Sequence, residues 1–204
     1  MSDPITTDLF VEDRAHEEFL KAMINRIAKE EKKEVVIQVR SARGGHGRVL
    51  DELEIYQKAI LQTKGSFLRM PDLLFIAIDA NCSNFNDVRR DIERSLEARF
   101  RDRAIIACPD PHVERWYLAD PESFRKVIGV GPKIGRRKCE RDYYKGILSK
   151  AIIDSGNPPT LGGIEFAREL VENMDFYRAR KGERSFNHFL TAAIAGIRSA
   201  GAKK

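Results

Sequence analysis

Acidic side chains follow three hydrophobic segments of this 204-residue chain, and their spacing could support chemistry. Glu12 follows the first segment, Asp79 and Asn81 follow the second, and Glu114 and Asp120 come after the third. Each acid alone is explained by helix capping. Carboxylates that meet at one place repel each other unless a cation holds them, and oxygen ligands without a His–Cys set favour Mg²⁺ or Mn²⁺ over zinc. Together the five residues predict a Mg²⁺ or Mn²⁺ site.

The segments before these acids have the pattern of strands that end at one edge of a sheet. Residues 73–78 and 104–108 are apolar throughout, which is typical of strands covered on both faces of a parallel sheet. Shorter runs at 8–11 and 34–39 predict two more strands, and helical spacing separates the strands. We therefore expect an α/β fold with a mostly parallel central sheet of about four strands flanked by helices. Ligands of such sheets bind beyond the carboxyl ends of the strands.

The second half of the chain has a different pattern, in which only helices are indicated. They are expected at about 121–128, 132–153, 163–174 and 185–199. Ser185 is the expected N-cap of the last helix. We therefore predict an α/β core over residues 1–120 and a helical C-terminal portion over residues 121–204 that packs on the core.

The order of the acidic motifs resembles the TOPRIM fold of topoisomerases, primases and OLD-type nucleases. In that fold a glutamate after the first strand and a D-x-D motif after a later strand bind Mg²⁺ for phosphodiester chemistry. Glu12 matches the glutamate, and the run from Asp79 to Asn81 matches D-x-D. The run from Pro109 to Asp120 also resembles the P-x-x-E-x-W-x-x-x-D element of small stand-alone TOPRIM-like proteins of the RloB kind, often encoded beside ABC-type ATPases in anti-phage loci.

The resemblance implies a Mg²⁺-dependent nuclease whose catalytic residues are Glu12, Asp79 and Glu114, with an ABC-type ATPase as partner. Glu12 would be both ligand and general base, and Asp79 the central ligand. Two positions depart from the family pattern, because Asp13 stands where glycine is typical and Asn81 replaces the second acid of D-x-D. The alternative is therefore a non-catalytic TOPRIM-like module that binds nucleic acid or an ATPase partner.

A basic segment lies in the predicted helical portion. Between residues 125 and 150, nine Lys and Arg stand against two acids, so this segment carries +7 and the whole chain +5. Two interpretations stay open, a surface that binds nucleic-acid phosphates and a solvated helix face. The Gly-x-Gly at residues 129–131 resembles the turn of a helix-hairpin-helix motif, and an ordinary helix–helix turn is the alternative. The predicted nucleic-acid contacts are Lys133, Arg136, Arg137, Lys138 and, in a glycine-rich loop, Arg43.

Two histidines flank the acids. His16 lies four residues after Glu12, and a surface position on the following helix is expected. His112 lies two residues before Glu114 and is the stronger candidate for the site.

Composition argues against several other classes of protein. The longest apolar stretch is far shorter than the roughly 20 residues that cross a bilayer. The polar, acidic first residues do not have the pattern of a signal or transit peptide. Three separated cysteines fit reduced thiols better than a disulfide framework or a zinc knuckle. We therefore expect a cytoplasmic protein with no membrane partner.

Overall fold

A four-stranded sheet forms the centre of the computed structural model. Its strands are β1 (Ile5–Val11), β2 (Val35–Ser41), β3 (Leu73–Ala77) and β4 (Ala104–Ala107). The strands are all parallel and their order is β2-β1-β3-β4. The structure describes residues 3–41, 46–62, 69–135, 137–140 and 142–200. The predicted α/β fold, with a parallel central sheet flanked by helices and a helical C-terminal part, is confirmed.

Helices cover both faces of the sheet. They are α1 (Arg14–Glu30), α2 (His46–Gln62), α3 (Phe85–Arg94), α4 (Ala98–Arg101), α5 (Glu114–Tyr117), α6 (Pro121–Ile128), α7 (Tyr143–Asp154), α8 (Ala167–Asn173), α9 (Phe176–Gly182) and α10 (Arg184–Ser199), with a 3-10 helix at Ile164–Phe166. None of the helices in the described part of the chain is long and apolar enough to span a bilayer.

The side chains of β3 show why its sequence is apolar throughout. Leu73, Phe75 and Ala77 belong to a hydrophobic core shared with α1 and with α5 to α10. Leu74 and Ile76 face the opposite way, into a second core shared with α2 and α3. Because successive side chains of a strand alternate between faces, a strand buried on both sides has no polar positions. The C-terminal helices therefore share one continuous core with the sheet.

The chain between α6 and α7 differs from the prediction. The helix expected at residues 132–153 begins only at Tyr143, and residues 129–135 and 137–140 are not helical. Gly129 ends α6 with a left-handed φ of 91°. Instead of bonding within a helix, the Gly135 N–H donates to the Tyr143 hydroxyl oxygen at 3.1 Å. Of the two interpretations of the Gly-x-Gly, the helix-hairpin-helix turn is therefore wrong, because its second helix does not start where the motif requires.

Candidate functional site

Glu12, His16 and Asp79 meet at the C-terminal edge of the sheet. β1 and β3 are neighbours with Val11 opposite Ala77, so the residues that follow the two strands emerge side by side. The Asp79 N–H donates to Glu12 Oε2 at 3.1 Å. One ligand atom from each of the three residues lies within 4.8 Å of the others. The structure therefore brings together Glu12 and Asp79 and adds a histidine to them.

His16 is a site residue that the sequence prediction missed. It is fully buried in the first turn of α1, so the expected surface position is wrong. Its Nδ1 lies 2.8 Å from Asp13 Oδ1, and its Nε2 lies 3.0 Å from Asp79 Oδ1. Asp13 also caps α1 by accepting a hydrogen bond from the His16 N–H at 3.0 Å. The available signal was the four-residue spacing from Glu12, which corresponds to about one helical turn.

His112 approaches Asp79 from the loop after β4. Its Nδ1 lies 3.2 Å from Asp79 Oδ2, so each carboxylate oxygen of Asp79 faces a histidine nitrogen. Backbone hydrogen bonds hold this loop against the one that follows β3. The Asn81 N–H, for example, donates to the Pro111 carbonyl oxygen at 2.9 Å. The sequence had favoured His112 over His16, whereas both contact the same carboxylate.

Charges alternate across these contacts. Burial disfavours the ionised form of Asp79, but His16 and His112 hold its pKa below the ordinary value. Burial opposes the charged form of His16, yet Asp79 and Asp13 raise its pKa well above the usual range. The hydrogen bond to Asp79 raises the pKa of His112. Burial is likewise outweighed at Asp13, where His16 lowers the pKa to about 2. Each carboxylate here is therefore matched by an imidazole.

Glu12 and Glu114 shift in the other direction. Burial, followed by the negative charge of Asp79, raises the pKa of Glu12, and the same two causes raise that of Glu114. Glu114 begins α5 and lies outside the group of three ligand atoms. A cation relieves such repulsion, so Glu12 and Glu114 are the carboxyl groups that would gain most from one.

Asn81 and Asp120 are placed differently from these residues. Asn81 is exposed, and its amide nitrogen donates to the Asp79 carbonyl oxygen at 3.3 Å. Asp120 is buried, with Oδ1 2.9 Å from Arg178 Nε and Oδ2 2.9 Å from Arg178 Nη2. An arginine therefore occupies the carboxylate oxygens of Asp120 that the sequence had assigned to a metal.

A buried network joins residues 110–120, which we call the acidic segment, to α10. Trp116 Nε1 donates to Ser185 Oγ at 2.8 Å, and that hydroxyl donates to Glu183 Oε1 at 2.8 Å. Arg115 Nε lies 3.3 Å from Glu183 Oε2. Ser185 is not the N-cap of the last helix, because Glu183 takes that role by accepting a hydrogen bond from the Ser185 N–H. Ser185 instead holds the segment that carries Glu114.

The basic segment borders the site at Lys138. Its Nζ lies 2.6 Å from Asp110 Oδ1, in the loop that also carries His112. Lys133 and Arg137 are exposed, and Arg137 pairs with Glu140. The remaining predicted nucleic-acid contacts lie outside the described residues, and they are Arg43 and Arg136.

The comparisons with known proteins identify a family without assigning an activity. The model of a domain of unknown function, DUF4276, matches residues 11–192. No curated protein and no solved structure matches the chain. The matched range contains the whole candidate site, from Glu12 to the network around Ser185. Because the match covers most of its length, this chain belongs to the DUF4276 family.

Proposed function

We propose that this protein is a nuclease that hydrolyses phosphodiester bonds with a bound Mg²⁺ or Mn²⁺ ion. The observation that carries the proposal is the convergence of Glu12, His16 and Asp79 beyond two adjacent parallel strands. Open α/β sheets bind their ligands at this edge. The resemblance to TOPRIM proteins supports the same chemistry, and membership of that fold family is part of the proposal.

The donor set fits a divalent cation held mainly by oxygen. Glu12 and Asp79 supply carboxylates, which Mg²⁺ and Mn²⁺ prefer. His16 hydrogen-bonds Asp79, as the neighbours that orient metal-binding carboxylates commonly do. An imidazole that bound the ion directly would favour a transition metal, and for that reason Mn²⁺ belongs in the proposal beside Mg²⁺.

Each residue of the site then has a separate task. A bound cation would polarise the phosphate and make an attacking water more acidic. Glu12, whose pKa is raised, is the carboxylate suited to accept the proton of that water. Asp79 is kept ionised by His16 and His112, so it retains the negative charge that attracts a cation. Glu114 borders this group and adds negative charge to it.

The proposed substrate is nucleic acid, and the proposed partner is an ABC-type ATPase. Lys138 lies in the basic segment and contacts the loop that carries His112. A nucleic acid bound to this segment would therefore have its phosphates close to the acidic side chains of the site. The ATPase partner and a role in anti-phage defence are proposed from the resemblance to RloB-like proteins alone. A cytoplasmic location also belongs to the proposal, and three unlinked cysteines support it.

A cleavage assay on plasmid DNA, single-stranded DNA and RNA tests the proposal. We expect cleavage with Mg²⁺ or Mn²⁺, no cleavage with a chelator, and no cleavage by Asp79→Ala or Glu12→Gln. Asp102→Ala is the matched control, because Asp102 is an exposed acid just before β4, at the opposite edge of the sheet. Cleavage that survives in the chelator or in Asp79→Ala would overturn the proposed mechanism.

A second candidate is a non-catalytic module that binds nucleic acid. Asn81 favours it, because a neutral amide replaces the second acid of D-x-D and is turned onto the backbone of Asp79. This candidate predicts nucleic-acid binding without cleavage in any metal. Restoring the acid with Asn81→Asp should then produce cleavage, whereas the leading proposal requires cleavage by the unaltered chain.

A further inference from the structure

Two exposed thiols border the candidate site on different segments of the chain. Cys82 lies three residues after Asp79, and Cys139 follows Lys138 in the basic segment. Neither thiol takes part in the proposed hydrolysis.

Backbone and ion-pair contacts bring these two segments together around one loop. The Ala80 N–H donates to the Pro109 carbonyl oxygen at 2.8 Å, which fixes the chain just before Cys82. From the other side, Lys138 Nζ lies 2.6 Å from Asp110 Oδ1, which fixes the chain just before Cys139. The residues that precede both cysteines are thus bound to neighbouring residues of the same loop.

The electrostatics of Cys82 agree with this placement. Cys139 is the main cause that raises the pKa of the Cys82 thiol, so the two sulfur atoms are close enough to interact. The ammonium group of Lys138 opposes this rise in the pKa of Cys82 without reversing it.

We propose that Cys82 and Cys139 form a reversible disulfide when the protein meets a hydroperoxide. One thiolate attacks the peroxide oxygen, its sulfur becomes a sulfenic acid, and the second peroxide oxygen leaves and is protonated to water or an alcohol. The other thiol then attacks the sulfenic sulfur, and its proton leaves with the sulfenic hydroxyl group as water while the S–S bond forms. Two thiols are oxidised by two electrons in total, and one peroxide bond is reduced.

Cys108 provides a contrast within the same chain. It is buried, and burial together with the charge of Asp79 raises its pKa to about 12. A thiol that is both inaccessible and protonated reacts slowly with peroxide. Oxidation should therefore be confined to the exposed pair.

The disulfide would tie the loop that follows Asp79 to the basic segment. Lys138 would then be held beside Asp110, and the segment could not move away from the site to admit a substrate. This consequence for cleavage rests on the proposed function, whereas formation of the bond does not.

Oxidation of the full chain with hydrogen peroxide, followed by peptide mapping without reduction, tests the proposal. We expect a peptide linked through Cys82 and Cys139, loss of two thiols that react with maleimide under native conditions, and recovery of both after dithiothreitol. Cys82→Ser and Cys139→Ser should each lose the linked peptide, and Cys108→Ser should keep it. Circular dichroism of each variant establishes that it is folded.

Two results would overturn the proposal. One is separate oxidation of the two cysteines in the unaltered chain, with no linked peptide. The other is a link that joins two copies of the chain instead of two cysteines of one copy. Cleavage is assayed separately on the same samples, so a chain that forms the disulfide but cleaves nothing contradicts the proposed nuclease and leaves the disulfide established.

Discussion

Both ring nitrogens of His16 face carboxylates, although the residue is fully buried. Without the imidazole, Asp79 would lose the partner of one of its oxygens in an environment of low polarity. A buried carboxylate that loses its partner destabilises the folded state, because its charge is no longer compensated. His16 therefore determines the stability of the site as well as its charge.

Replacing His16 with Ala should lower the free energy of unfolding by about 3 kcal/mol, because it leaves a buried charge without its partner. Adding Asp79→Asn should recover about 1 to 2 kcal/mol, since the unpaired charge is then removed. Urea unfolding of the single and double variants measures both changes. Tyr177→Ala is the control, because the Tyr177 side chain is 72% exposed and its removal should change stability by less than about 0.5 kcal/mol. Equal losses in the single and double variants would show that the charge pair is not responsible.

Residue by residue, local sequence indicated only part of the site. Glu12 and Asp79 were predictable, because each follows a strand whose apolar pattern is visible in the chain. The burial of His16 was not, because it depends on Asp79, which is 63 residues away. Asp120 was misassigned for a similar reason, since its partner Arg178 is 58 residues away. Local spacing carries no information about such partners.

At the scale of elements, α10 packs closely on β4 through a glycine. A Cβ atom at Gly196 would lie 2.6 Å from Ile105 Cδ1, which is closer than carbon atoms approach. Gly196 therefore allows the helix to reach the strand, at the cost of the lower helix propensity of glycine.

Gly196→Ala should destabilise the protein by about 1 to 3 kcal/mol, because overpacking of the core outweighs the gain in helix propensity. Gly146→Ala is the matched control, since Gly146 lies in α7 with open space around its Cβ position. It should stabilise the protein by about 0.5 to 1 kcal/mol. Ile105→Val removes the colliding methyl group and should restore part of the loss in Gly196→Ala. A stabilising effect of Gly196→Ala alone would contradict this packing.

The ion pair of Asp120 with Arg178 joins α6 to α9 and should make stability depend on pH. Burial opposes ionisation of Asp120, but Arg178 lowers its pKa to about 2 from an ordinary value of 3.8. A lowered pKa contributes stability that is complete above pH 3.8 and is lost as pH falls towards 2. Because Arg178 is partly exposed and solvent screens the pair, the expected contribution at neutral pH is about 1 to 2 kcal/mol.

The unfolding free energies of the unaltered chain and Asp120→Asn, measured in urea between pH 3 and 7, test this linkage. Their difference should be constant from pH 7 to about pH 4 and should shrink below it. Asp102→Asn is the control, because Asp102 is an exposed acid at the end of α4. A difference in unfolding free energy that does not change with pH would show that the charge of Asp120 does not contribute to the contact between α6 and α9.

The elements themselves were predicted unevenly. β3 was found because burial on both faces leaves an unbroken apolar run. β1 and β2 were found from shorter apolar runs, and β2 is an edge strand on which Val36 is exposed. The helix expected at 132–153 was wrong over its first half, because Tyr143 and Tyr144 bind the backbone of Gly135 and replace the hydrogen bonds of a helix. A basic, glycine-containing segment gives no local sign of such tyrosine contacts.

For the whole molecule, a bound cation should raise stability. A ligand that binds only the folded state stabilises it by about 2.7 kcal/mol at 100 times its dissociation constant. Mg²⁺ or Mn²⁺ should therefore raise the melting temperature of the unaltered chain and leave that of Asp79→Ala unchanged. Asp102→Ala should respond as the unaltered chain does. A melting temperature that neither ion shifts at saturating concentration would contradict the metal site.

Nucleic-acid binding should depend on the basic segment. Replacing Lys133, Arg137 and Lys138 with Ala should make the log–log salt dependence of binding shallower by about two to three units, because fewer counterions are released. Lys133 and Arg137 are exposed and contribute little to stability, and loss of the Lys138–Asp110 ion pair should lower the free energy of unfolding by no more than about 1 kcal/mol. Titrations with nucleic acid at several salt concentrations measure the slope.

The control for this variant removes three exposed basic residues elsewhere, and they are Lys29, Lys32 and Arg168. An equal change of slope in both triple variants would indicate general charge attraction without a defined surface. No change in either would leave the basic segment as a solvated face.

Trp116 is the only tryptophan of the chain, and it lies where the sheet, the acidic segment and α10 meet. Its ring stacks on Phe189 at 5.1 Å, and its indole N–H is bonded to Ser185. Its fluorescence therefore comes from a single position that excludes water and lies two residues from Glu114 in the sequence. Separation of α10 from the sheet would expose the indole to water and shift its emission to longer wavelength, even if the helices remained folded. The protein thus carries an intrinsic optical probe of the contact between its two parts, and no added dye is required.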